Sequence, residues 1–473
     1  MTDASQIAIL AQSAFSVSDG RPSRRGANSK RTWLHYVKFG TAIFIGTFLV
    51  AGGLFVIIRQ VTGRHATRPR AGTYKPVMSV GAKVHHHAFN DDDDDAPPQL
   101  SRMPFACTVG LSLDLLKHAN LLLREDGLCE YVIFQSTFVA DGDGKVDLWD
   151  GHNHTRSFRT FLEFARVARK SAYGVAITHR KSREALRQLG SAAGIGEFVS
   201  YWSKGVRHHA VLDVDERSVS GPRDLRSTFA LLKAFRLLQQ AQTDVNNSSG
   251  AYIFFGCTTA VPKNSLLHDI LKVELRSLPV DVMILTTHAM VSEDSEKVVV
   301  PPTTLRALEG SHLPAILDVA HHAAGEEYLH RLSAVALTLS VSVLAYEVPE
   351  RTREGAACDS GAIEVSVKEV CSKSNYPLDV KYGNNTIIGR FYSPTMGRLY
   401  LFDTKETFHF KMCTLRETFP ELVHGWVVFG VDLADYDGAC NGASRTLDRV
   451  RAIRETFDEY LKALPGQPPD EAC

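Results

Sequence analysis

The chain lacks an excess of charge of either sign: Lys+Arg and Asp+Glu both number 53 in 473 residues. A protein that neutralises nucleic-acid phosphates needs a basic surplus, so nucleic acid is not an expected partner. No Gly-rich phosphate-cradling loop follows any strand-like run, which removes the main support for a doubly wound nucleotide-binding sheet. No cysteine precedes Cys107. Charge is also missing from residues 39 to 58, FGTAIFIGTFLVAGGLFVII, a run of twenty residues that is apolar on every face. That is the length a helix needs to cross hydrocarbon, and it is too apolar all round for a half-exposed helix of a globular core. The 38 residues ahead of it are too many for a cleaved signal peptide. The run therefore predicts a single transmembrane signal anchor.

Positive charge does not orient this span, because Arg21, Arg24, Arg25, Lys30, Arg31 and Lys38 precede it while Arg59, Arg64, Arg68, Arg70 and Lys75 follow. Cysteine and sequon placement do. All eight cysteines and all the Asn-x-Ser/Thr acceptors, Asn153, Asn246, Asn247 and Asn384, lie after the span. An oxidising C-terminal side suits both, which predicts a single-pass type II protein with its bulk lumenal or extracellular. Residues 1–38 then form a disordered cytoplasmic tail. Residues 59–103, with HHH at 85 to 87 and DDDDD at 91 to 95, read as a disordered acidic stalk. The histidine triplet has no spaced partners, and no metal is expected there.

From residue 105 the pattern changes to eight short runs rich in β-branched and aromatic residues: 105–110, 130–138, 173–179, 209–215, 251–257, 280–288, 336–348 and 426–433. Segments with helical spacing lie between them, such as 157–170, 224–240 and 445–464. Strands that are apolar throughout and alternate with helices make a parallel sheet covered on its outer face. Eight repeats close naturally as a (β/α)8 TIM barrel, here 104–464, whose functional loops follow the C-terminal strand ends. About 75 residues separate the seventh and eighth runs, which calls for a small inserted lobe, set at 349–402. Residues 465–473 are left as a tail.

The last third carries three motifs in order: Lys368, Glu369, Val370 and Cys371; then Phe402, Asp403 and Lys411; then Gly425, Phe429, Asp432, Asp435, Tyr436, Gly438 and Cys440. In spacing and type these resemble glycoside hydrolase family 18, the chitinase family, and the pattern looks most like the divergent chitinase-like proteins expanded in ticks. The resemblance spans roughly 105 to 464 and implies glycan chemistry on the barrel. It also implies disulfides Cys107–Cys129 and Cys371–Cys440. Cys358–Cys413 is the remaining pairing, with Cys257 and Cys473 left unpaired.

The family's catalytic strand reads Asp-x-x-Asp-x-Asp-x-Glu. Laid on HHAVLDVDER (208–217), it puts Ala210 at the first Asp, Asp213 and Asp215 at the next two, and Arg217 at the catalytic Glu. A guanidinium does not give up its proton in the accessible pH range, so Arg217 cannot act as the acid. Its simplest role is an ion pair with Asp215 or Asp213. Glu216 is one step off and should point to the opposite face. The family's acetamide-holding Met-x-Tyr-Asp is Thr286, Thr287, His288 and Ala289 here, its Ser-x-Gly-Gly is Ala176, Ile177, Thr178 and His179, and its floor Trp is Phe429. His288 reads more simply as a satisfied structural histidine than as a base. Pyranose rings stack on aromatic faces, but of the four tryptophans only Trp149 falls where binding loops lie; Trp426 has the wrong strand parity and should face the helices.

Two function classes follow. One is a membrane-anchored, catalytically inactive chitinase-like protein that binds a chitin-like, N-acetylglucosamine-containing glycan or a protein partner, with Asp215, Arg217, His288, Phe429 and Trp149 as ligand-binding candidates. The other is an active chitinase or N-acetylglucosaminidase using Glu216 or an acid from a loop. A metal-dependent hydrolase would draw on His208–His209 or His321–His322, but adjacent strand residues face opposite ways and neither pair can hold one ion alone. No cofactor is expected.

Overall fold

The computed structural model describes residues 100–101, 103–110, 125–136, 139–140, 146–147, 154–246, 250–258, 266–291, 297–309, 311, 313–371, 379–382, 387–434 and 447–462. They belong to one structural unit. The expected tail, the span at 39–58 and nearly all of the expected stalk lie outside them, as do Trp149, Asn153, Asn247, Asn384, Cys440 and Cys473. Among the described residues no helix is long and apolar enough to cross a membrane.

Strands β1 (Phe105–Val109) and β2 (Tyr131–Ser136) begin the barrel, and a short antiparallel ladder, β3 (Val139–Ala140) with β4 (Val146–Asp147), follows. The barrel continues through β5 (Ala172–Ile177), β6 (Val206–Asp215), β7 (Ile253–Thr258), β8 (Val282–Leu285) and β9 (Ala334–Ser340). A five-stranded antiparallel sheet is inserted next: β10 (Val343–Glu347), β11 (Ile363–Val365), β12 (Asp379–Tyr382), β13 (Ile387–Ser393) and β14 (Arg398–Phe402). Strand β15 (Gly425–Phe429) then closes parallel onto β9 and β1, making a closed eight-stranded parallel barrel. Helices including Pro222–Asn246, Leu266–Glu274, Ile316–Gly325, Lys405–Thr418 and Asp448–Lys462 lie in the intervening segments.

Alternation along each strand sorts its side chains into two layers. Ala106, Ile133, Ala210, Phe254, Val427 and Phe429 fill the barrel. Val175, Val211, Phe255 and Trp426 pack outward against helix residues such as Phe235 and Phe457. Trp426 is thus on the helix side and Phe429 inside, as strand parity requires. The same rule separates the paired histidines. His208 stacks inside the barrel on Tyr252 and meets Tyr131 edge-on, while His209 lies outside, 4.4 Å from the Phe235 ring and 3.1 Å from Gln239 Nε2.

The structure corrects three expectations. First, the run 336–348 is not one strand: it breaks at Val341, β9 staying in the barrel and β10 opening the inserted sheet, so the insertion starts at Val343 rather than 349. Serines cause the break by competing for the backbone. Ser340 Oγ accepts from the Ser342 N–H at 3.3 Å and lies 2.8 Å from Ser342 Oγ. Second, the chain already contacts the barrel at Leu100, ahead of its first strand and within the expected stalk. Leu100 packs against the inner layer and its N–H donates to Tyr252 Oη at 3.0 Å, capping the barrel floor.

The third correction concerns cysteines. Cys107–Cys129 is a disulfide with Cα atoms 5.9 Å apart, joining β1 to the turn before β2. Its loop of 22 residues is worth about 3 kcal/mol in the chain-entropy model. The Cys358–Cys413 pairing does not form, because Cys358 is a buried free thiol in the inserted sheet's core beside Val299 and Leu344. Cys413 instead sits on helix Lys405–Thr418 near His409. Cys413 and Cys371 are each disulfide-bonded. Cys257 is a free, buried thiol on the helix side of β7.

Candidate functional site

The C-terminal strand ends gather the residues singled out above, and β6 is irregular there. Its register with β7 shifts between Val211 and Val214. Ala210 and Leu212 point inward before the shift, and Val214 points outward after it, which returns Asp215 to the inner side. The bulge presses on β7: a Cβ on Gly256 would stand 2.7 Å from Leu212 O, so only glycine fits.

Beyond the bulge Asp215 caps a one-turn helix, Glu216–Ser218, accepting from the Arg217 backbone N–H at 3.0 Å. The Arg217 guanidinium folds back on the same carboxylate, with Nη2 2.6 Å and Nε 3.0 Å from Oδ2 and Nε 3.2 Å from Oδ1. Both Asp215 oxygens are thereby engaged, the fork geometry that makes Arg a specific carboxylate partner. Asp213 accepts from the His179 N–H at 2.7 Å. Burial pushes its pKa up to about 6, against the pull of that N–H and of Arg180. Glu216 lies close enough to the outward-facing Cys257 that its charge, after burial, helps raise that thiol's pKa.

Phe429 and His288 form the aromatic part of the mouth, their ring centres 4.1 Å apart. His288 Nδ1 is 2.7 Å from Thr338 Oγ1, and burial lowers the ring's pKa to about 3, so it is neutral at physiological pH. Thr287 locks the same corner: Thr338 Oγ1 accepts from the Thr287 N–H at 2.7 Å, and the Thr287 hydroxyl donates to the Thr338 carbonyl. Ala289 is half-buried against the inserted sheet's core rather than among the residues around Phe429. From that sheet, Glu364 brings a carboxyl to Ser342 and to within 3.6 Å of where a Cβ on Gly430 would lie. The residue is exposed as a whole, but local desolvation of its carboxyl raises the pKa, opposed by the Ser342 hydrogen bond.

The motif residues Asp403 and Lys411 turn out to be scaffold. Thr404 caps helix Lys405–Thr418 through a reciprocal box with Thr407. Fully buried Lys411 pairs with fully buried Asp403 and donates to Thr303 O at 2.7 Å, pinning the helix to the segment after β8.

No family model matches this sequence, and no curated relative is similar enough in sequence to match it. Solved structures do match. Human YKL-39, described as a pseudo-chitinase with retained chitooligosaccharide binding properties, superposes with a TM-score of 0.54 at 11% identity, covering 75% of this chain and 100% of its own. Catalytic domain 2 of the Ostrinia furnacalis Group II chitinase gives 0.54 at 13% identity over 77% and 98% of the two chains. The Cycas revoluta GH18 chitinase gives 0.52 at 12% identity over 75% and 99%. The fold is that of the family 18 chitinases.

On a chitinase fold, the mouth at the C-terminal strand ends is where chemistry belongs. This structure brings Asp215 and Arg217 together, and separately Phe429 and His288. Trp149 lies outside the described residues, and Ala289 belongs to the wall of the insertion. Sequence reasoning missed Glu364, which sits on a three-residue strand whose Ile-Glu-Val alternation is too short to signal which face meets the barrel.

Proposed function

We propose that this chain is a membrane-anchored chitinase-like protein, related in pattern to the tick chitinase-like set, that binds a chitin-like glycan or a protein partner at the barrel mouth without hydrolysing sugar. The observation that carries the reading is the closed Asp215–Arg217 pair: an always-charged guanidinium stands at the family's acid position and occupies both oxygens of the neighbouring aspartate. Family 18 hydrolysis asks the protein for one proton donor and for groups that hold the substrate acetamide. Here the donor position is Arg217, and the holding positions are His288, already bonded to Thr338, and Ala289. YKL-39, a pseudo-chitinase with retained chitooligosaccharide binding on the same fold, gives the reading a precedent.

The proposal includes a type II orientation with the barrel extracellular or lumenal, because every cysteine and every Asn-x-Ser/Thr acceptor follows the apolar segment at 39–58. The disulfide-bonded Cys107, Cys129, Cys371 and Cys413 favour an oxidising compartment for the barrel. Peptide-N-glycosidase treatment of protein from a secretory host should increase gel mobility; an unchanged band would count against this orientation.

The deciding measurement is release of a fluorescent leaving group from chitobiosides and chitotriosides, run beside binding to chitin beads. Wild type should release none, and Arg217→Glu should restore little, because catalytic groups act as a unit and the acetamide clamp is still missing. Adding His288→Tyr and Ala289→Asp tests that clamp. The second reading, an active glycosidase, draws on Glu364, an exposed residue beside the mouth whose carboxyl pKa is raised by local desolvation. Wild-type turnover abolished by Glu364→Gln or Glu216→Gln would establish that reading instead.

A further inference from the structure

We propose a second site, unrelated to the mouth: a zinc-type divalent metal site on the outer shell of the barrel, with His268, His322 and Glu326 as its protein ligands. His268 lies in the first turn of helix Leu266–Glu274, while His322 lies in the last turn of helix Ile316–Gly325 and Glu326 follows that helix as its extended C-cap residue. The end of one shell helix thus meets the start of another at this point, as the spacing of the three side chains shows. One ligand atom from each of the three residues lies within 4.8 Å of the other two, and His268 Nε2 is 3.6 Å from Glu326 Oε1. Ligands of a tetrahedral zinc stand about 3.3 Å from one another, so one pair is nearly at ligand spacing and the third closes with a shift of about 1.5 Å.

The donor set and its surroundings favour an ion. Two imidazoles and one carboxylate are a zinc set with a fourth position left for water. His322 Nε2 is shielded from solvent yet has no hydrogen-bond partner, an unfavourable state that a bound cation would relieve. Tyr328 Oη lies 3.2 Å from His268 Nδ1, which leaves Nε2 as the nitrogen turned to Glu326 and fixes the ring as an outer partner should. His321, by contrast, lies beside the Phe419 ring. The pair that matters is therefore His322 with Glu326, and the adjacent His321 takes no part. Lys272 Nζ, 4.0 Å from Glu326 Oε2 on an exposed side chain, is the cation a metal would displace. An ion here would tie the two helices together and act on stability, because Tyr328 and both helices pack in the layer outside the barrel wall.

The test uses the full-length protein, stripped with a chelator and titrated with zinc against a chromophoric competitor, then with cobalt, whose tetrahedral complexes absorb visibly. One zinc per chain, a visible cobalt band and a raised melting temperature are expected. His322→Ala and Glu326→Gln, both at half-exposed positions, should each abolish the cobalt band. Tyr328→Phe should weaken zinc about tenfold, the typical cost of losing an orienting partner. Replacing His85, His86 and His87 together with Ala should change nothing. Absence of a cobalt band in the wild type, a band that survives both His322→Ala and Glu326→Gln, or one lost with the histidine triplet overturns the proposal.

Discussion

The two ends of β6 treat polar residues in opposite ways. At its start His208 is sealed among Tyr131, Tyr252 and Phe254, with its Nδ1 accepting from the Tyr252 N–H at 3.0 Å, and burial lowers its pKa to about 3. At its end Asp215 is held at the rim by Arg217 two residues on, which supplies both a backbone and a side-chain donor. One strand thus carries a polar group made neutral by exclusion of water and another engaged by an ion-pair partner at the rim. The floor of the barrel holds the fold, and the mouth is where variation is tolerated and function is placed.

The strongest way to break the comparison is at the floor. Phe254→Ala should cost about 3–5 kcal/mol, because a fully buried ring among aromatic neighbours leaves a cavity that cannot collapse. Denaturant midpoints measure this, and chitin-bead binding by the fraction still folded should be unchanged. A loss under 1 kcal/mol would mean the floor is not the rigid part.

Acid titration sharpens the contrast next. His208, His209 and His288 are held near pKa 3 and His424 near 4, in each case first of all by burial. Their folded pKa values lie below the unfolded 6.5, so the unfolded chain takes protons first. Stability is then complete above pH 6.5 and falls as pH drops toward 3, by up to about 1.4 kcal/mol per pH unit for each histidine. Asp213 runs the other way: its folded pKa of about 6 exceeds the ordinary 3.8, so its contribution is full below 3.8 and lost as pH rises through 6. Asp213→Asn should therefore steepen the acid loss between pH 6 and 4. Thermal melts across pH 4 to 7.5 read both effects, and a flat profile would contradict them.

The smallest effect belongs to the rim. Arg217→Ala should cost about 1 kcal/mol or less, since the pair is partly exposed and screened by salt. A double-mutant cycle with Asp215→Asn gives the coupling directly. A coupling of 3 kcal/mol or more would make the pair a pillar of the fold rather than a rim device.

Much of this was readable residue by residue. Eight apolar runs became eight barrel strands, strand parity placed Trp426 outside and Phe429 inside, and adjacency separated His208 from His209. The Asp215–Arg217 pair was legible because its partners are two residues apart. The reading failed where local pattern is silent. Val335 to Tyr346 is one uninterrupted apolar stretch apart from small polar residues, and only the serine hydrogen bonds end β9 and start β10.

Composition and periodicity by themselves determined the barrel, its inserted lobe, the inward and outward faces and the charge-free segment at 39–58, because repeats of two and 3.6 residues and the width of a membrane are short-range properties of a chain. Tertiary structure alone decided that Lys411 reaches Thr303 across 108 residues, that Tyr328 orients His268 across 60, and that Glu364 arrives at the mouth from another sheet. Such contacts depend on how whole elements pack, and neither partner leaves a periodic trace of the other in its own neighbourhood.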